Sequence, residues 1–158
     1  MDIDPTRDRA CIESVLIGLS QGRGSDEIVA DVAPPPSTRD LFPGEILLDL
    51  AADLIEASGA TRDHPLDTEQ IRRRLLPEDR AHTKAQHYKA DFAIRAAAMI
   101  RAGVDPALID NAARWEVNDL WLWSLQAVVI YARAAAEYAD VTVSDICDRV
   151  AALHDIDL

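Results

Sequence analysis

Apolar residues in this chain recur at helical spacing almost throughout, and nowhere alternate with polar ones at the period of two that a half-buried strand requires. The most apolar stretch is Asn118 to Ala139, NDLWLWSLQAVVIYARAAAEYA. At about 100° per residue, Asp119, Gln126, Arg133 and Glu137 fall on one narrow polar strip. Apart from the small Ser124, the rest of the circumference is apolar. A surface helix needs only about a third of its face apolar, so a helix over 118–139 is expected at the centre, with the other elements packed around it.

The remaining pattern predicts helices in series. Cys11, Ile12, Val15, Leu16 and Leu19 mark a first helix over 7–19, although Gly18 in its last turn weakens it. Ser25 opens a short helix that Pro34-Pro35-Pro36 stops. Residues 34–43 read as a proline-rich linker, which leaves residues 1–33 as a semi-detached helical arm and 44–158 as the bundle core. Within the core, Ile46, Leu47, Leu50, Ala51, Leu54 and Ile55 are the inner face of a helix over 44–58 that ends at Gly59. Asp67 caps a short helix over 68–76. A long helix is expected over 78–102, with Ala81, Ala85, Tyr88, Phe92, Ala96 and Met99 inward. Asp105-Pro106 starts a short helix through Trp115, and Thr142 or Ser144 starts a last one that buries Ile146, Cys147, Val150 and Leu153. The class is all-α: a single-domain helical bundle of about five main helices plus two or three short ones.

Composition narrows the function classes without choosing among them. Its 158 residues are enough to bury a core without staples. The net charge of −12 argues against non-specific nucleic-acid binding and against an anionic membrane surface. The opening MDIDPTRD lacks the apolar run of a secretory leader, and the run Leu120–Ala132 is too short to span a bilayer, so a soluble, cytoplasmic protein is expected. Cys11 and Cys147 sit on apolar faces, too far apart for metal-ligand spacing, and are expected as reduced thiols. No cofactor motif is present. The charge is nevertheless polarised: eight basic and four acidic residues lie between Glu69 and Arg101, so that segment carries +4 and the rest −16.

That segment holds the one stripe with the composition of an anion site. Arg80, Lys84, His87, Asp91 and Arg95 align on the 78–102 helix, with cations for a phosphate or carboxylate and a histidine for proton transfer. The competing expectation is a solvated face laced with i,i+4 pairs. Glu45, Asp49, Asp53 and Glu56 also align, but no facing acidic pair completes a magnesium site, and no metal is expected. Arg149 to His154 and Arg80 to His87 fit the Arg-x(4–6)-His spacing of HEPN-type helical ribonucleases. Chance placement of the arginines and histidines yields about one such match, so the spacing carries no weight. Trp121 and Trp123 point to opposite sides of the central helix, so one of them, with Tyr131 and Tyr138, is expected to meet a second subunit, another layer or a ligand.

Two readings follow. The first is a non-enzymatic interaction or regulatory module acting as a homodimer, with a protein partner. The second is a binding protein or enzyme for a small anion that uses the basic stripe.

Overall fold

The computed structural model describes residues 5–32, 43–105, 108–109 and 117–158. They are all-helical, without a β-strand among them. The described helices of eight residues or more are α1 (Pro5–Ser20), α2 (Ser25–Val32), α3 (Pro43–Ala57), α4 (Thr68–Leu75), α5 (Lys84–Arg101), α6 (Val117–Ala139) and α7 (Val143–Leu153). The expected proline-rich linker and most of the expected 105–115 helix, Trp115 included, lie outside the described residues.

The central position expected for α6 holds. It packs against α2, α3, α4, α5 and α7, and most extensively against α3. Leu125, Val128, Tyr131, Ala132 and Ala135 are buried, while Gln126, Arg133 and Glu137 keep the polar strip in solvent. Ser124, the exception in the apolar circumference, is buried too. Arg74 of α4 reaches the strip and bonds both carboxylate oxygens of Glu137, at 2.9 and 2.8 Å.

The first two helices are not a separate arm. Ile12, Val15, Leu16 and Leu19 of α1 and Ile28 of α2 belong to the same buried cluster as Leu50 and Leu54 of α3 and Ile146 and Val150 of α7. α1 rests on α3 and α7, and α2 rests on α6. Each such fully buried aliphatic side chain contributes about 1.5–3 kcal/mol relative to exposure, so detaching the pair would forfeit much of the core. Gly18 is what lets α2 close on α1: a Cβ there would stand 2.8 Å from Ile28 Cγ1.

The long helix starts later and faces differently from the sequence pattern. Thr83 accepts from the Gln86 backbone N–H at 3.2 Å while the Gln86 side chain accepts from the Thr83 N–H at 2.8 Å. This capping box begins α5 at Lys84 and leaves residues 78–82 in a turn. The buried face is Ala90, Ala93, Ala96 and Ala97, whereas Tyr88 and Met99, expected inside, are 57 and 46% exposed. Small side chains let α5 approach α3 and α6 closely; Phe92, Ile94 and Ile100 pack half-buried at the edge of the core, and Tyr88 and Met99 are turned outward.

Candidate functional site

The late helix start takes Arg80 out of the basic stripe and leaves Lys84, His87, Asp91 and Arg95 together on α5. Arg80 lies in the turn before α5, its backbone N–H bonded to the Pro77 carbonyl at 3.3 Å. Lys84, His87 and Arg95 are exposed on the outer face of α5. Asp91 is half-buried and paired across to Arg72 of α4, 2.7 Å from its Nη1. The His87 ring meets His82 edge-on at 5.9 Å. None of the five residues lines either of the two cavities described below.

The aromatic set also divides. Tyr131 is 1% exposed and belongs to the chain's own core, which leaves it no surface for a second subunit. Trp123 is half-buried against the same core. Tyr138 donates its hydroxyl to the His64 carbonyl at 2.7 Å. The side chain of Trp121 lies outside the described residues.

Two features noted separately in the sequence meet in space. His154, at the end of α7, places Nε2 2.7 Å from Asp53 Oδ2 on α3, and Arg149 donates to the Ala57 carbonyl at 3.0 Å. Burial raises the carboxyl of Asp53 above its ordinary value, and the hydrogen bond from His154 opposes the rise. Asp49, one turn away, is raised by burial first and by the charge of Asp53 second. The spacing of Arg149 and His154 thus serves to fasten α7 onto α3. Neither residue lines a described cavity, and no group of three His, Cys, Asp or Glu among the described residues could hold a metal.

The larger cavity lies elsewhere. A cleft of about 720 Å³ is lined by Ile55 of α3, the segment following it, the start of α4, the end of α5 and Tyr131 of α6. Its size falls within the ~300–1,000 Å³ of small-molecule sites. Gly59, at φ 79°, turns the chain out of α3 into the cleft wall. Ser58 Oγ donates to the Ile55 carbonyl at 2.5 Å and accepts from the Ala60 N–H at 3.0 Å. Thr61 N–H donates to the His64 carbonyl at 3.1 Å, and the His64 N–H donates back to Thr61 Oγ1 at 3.1 Å. Tyr138 grips the same carbonyl, and Asp67 caps α4 by accepting from the Gln70 N–H at 3.2 Å. The wall is therefore a braced loop.

The lining is mostly apolar, with Ile55, Ala60, Pro65, Leu66, Ala98 and Ala102, and its polar side chains are Thr61, Thr68, Arg62, Arg101 and Tyr131. The Tyr131 hydroxyl has no hydrogen-bond partner among the described residues, and burial pushes its pKa up to about 12, so it stays a donor at neutral pH. Arg101 pairs with Glu56 at 2.6 Å. Arg62 is exposed and makes no ion pair among the described residues. A smaller cavity of about 240 Å³ opens between α1, α6 and α7, beside Ser20, Arg23 and Arg133.

The sequence concealed this cleft because its residues come from five separate segments between Ile55 and Tyr131. Only Arg62 in a polar turn and a phenol on the most apolar helix were visible signals. No protein-family model, no curated protein and no solved structure matches the chain, so the functional reading rests on the chain's own geometry.

Proposed function

We propose that this protein is a non-enzymatic, helical binding module that holds a small, largely apolar molecule in the cleft between α3, α5 and α6. The observation that carries this reading is a braced cleft of about 720 Å³ whose wall includes an otherwise buried phenol without a partner among the described residues. Among the described residues its lining side chains include no carboxylate, imidazole or thiol that could act as a base or activate the lining hydroxyls, which favours binding over catalysis. The test is titration with N-phenyl-1-naphthylamine, a neutral dye that brightens in apolar surroundings. Saturable binding to the wild type is expected, with loss of binding in Ala98→Trp, which fills the cleft from an exposed helix position. Absence of saturable binding, or unchanged binding in a folded Ala98→Trp protein, overturns the reading.

A second reading is favoured by the outer face of α5. Tyr88 and Met99 are exposed there beside Lys84 and Arg95, on a chain that is acidic elsewhere. Such a face suits a second copy of the chain or an acidic protein partner, and it suits neither nucleic acid nor membrane. Light scattering at low salt tests the homodimer, which a monomer at micromolar concentration excludes. No helix among the described residues is long and apolar enough to cross a membrane. That Cys11 and Cys147 form no disulfide supports a cytoplasmic location as part of the proposal.

A further inference from the structure

We infer that the occupant of the cleft is an amphiphilic anion, an acyl chain ending in a carboxylate, whose charged end is received by Arg62 and Arg101. The inference rests on the reading of the cleft as a ligand site and adds the chemistry of the ligand. The chain carries 28 acidic and 16 basic residues, yet among the described residues the lining of this cleft includes two arginines and no Asp or Glu. Asp63 and Asp67 flank the lining segment without lining it. An apolar enclosure whose described charged lining is two arginines, one of them shared with Glu56 outside the lining, disfavours a cationic ligand and gives a neutral one no use for the guanidinium groups. It suits a ligand with an apolar body and one negative end.

The two arginines differ in readiness. Arg62 makes no ion pair among the described residues and lies on a loop anchored on both sides by the Thr61–His64 bonds. Arg101 is held by Glu56 at 2.6 Å, but both side chains are about half exposed, at 42 and 51%. An exposed pair of this kind is weak, and a guanidinium has five N–H donors, so Arg101 can bond a ligand carboxylate without releasing Glu56. Thr61 and Thr68 line the same cleft and supply hydroxyl donors.

The experiment measures binding of three probes of equal chain length to the full chain by calorimetry: decanoate, decanol and decyltrimethylammonium. Decanoate is expected to bind at least tenfold more tightly than decanol, and the cation more weakly still. The preference should shrink as salt rises, because the arginines are exposed. Arg62→Ala and the double variant with Arg101→Ala should lose the preference for decanoate over decanol stepwise. Arg62 is an exposed loop residue, so an unchanged melting temperature for its variant checks that the fold is intact. Equal affinity for decanoate and decanol overturns the anionic ligand and leaves the apolar cleft standing. Failure of all three probes to bind overturns both, and tighter binding of decyltrimethylammonium overturns the charge assignment.

Discussion

Gly18→Ala tests how closely α1 and α2 pack. In a free helix the change would be favourable, since alanine exceeds glycine by up to about 1 kcal/mol inside a helix. Here the added Cβ would lie 2.8 Å from Ile28 Cγ1, 3.2 Å from Cδ1 and 3.8 Å from Cβ. Ile28 is 0% exposed and its Cγ1 is close to the backbone, so it has no flexible end to swing aside. Forcing a methyl group into such a contact costs about 1–3 kcal/mol. The steric term wins, and Gly18→Ala should destabilise the protein by about 1 kcal/mol, or roughly 2–4 °C at this chain length. With Ile28→Ala, itself expected to cost about 2–5 kcal/mol, the obstruction is gone and the same Gly18→Ala should stabilise by about 0.5–1 kcal/mol. The four proteins of this cycle would be compared by urea unfolding followed by far-UV circular dichroism. A coupling of about 2 kcal/mol is expected between the sites. If Gly18→Ala stabilises equally in both backgrounds, the close contact does not exist in solution.

Two further substitutions address the start of α5 and the acidic pair on α3. Thr83→Ala should cost about 0.5–2 kcal/mol in urea unfolding, because it removes one half of the capping box. Had the helix begun at Glu78, Thr83 would be an interior site where alanine gains about 0.5 kcal/mol, so a stabilised variant refutes the observed start. Asp49→Asn should raise the melting temperature at pH 7. The folded-state pKa of Asp49 lies above its ordinary value of 3.8, by burial and then by Asp53, with His154 opposing. A raised carboxyl contributes stability below 3.8 and loses it as pH rises through the folded value, so the ionised group is a cost at pH 7. The advantage of the asparagine should shrink as pH falls through that raised value toward 3.8. A variant less stable than the wild type at pH 7 would sink this account.

The candidate site was far less legible in the sequence than the helices. Lys84, His87, Asp91 and Arg95 stay together on α5, but Arg80 joins their stripe only if one helix runs unbroken through it. The Thr83–Gln86 box, two ordinary polar residues three apart, ends that continuity. Asp91 pairs with Arg72 on a neighbouring helix, which its own helix pattern could not show. The cleft has no periodic signature, because Ile55, Arg62, Thr68, Arg101 and Tyr131 become neighbours only when four helices and a braced loop are assembled. Asp53 and His154 lie 101 positions apart and illustrate the same point.

The sequence by itself determined the all-helical class, the central place of the 118–139 helix and several ends, such as Asp67 before α4 and Thr142 before α7. These are local properties: hydrophobic periodicity, capping side chains and glycine at positive φ act within a few residues. Tertiary structure decided which face of α5 turns inward, how Gly18 admits Ile28 and whether the first two helices join the core. Apolar patterning ranks faces by hydrophobicity, and on α5 it placed Ala96 inward but favoured Tyr88 and Met99 over Ala90, Ala93 and Ala97. Close packing ranks them by shape as well, and the smooth face of Ala90, Ala93, Ala96 and Ala97 allowed the tighter approach to α3 and α6.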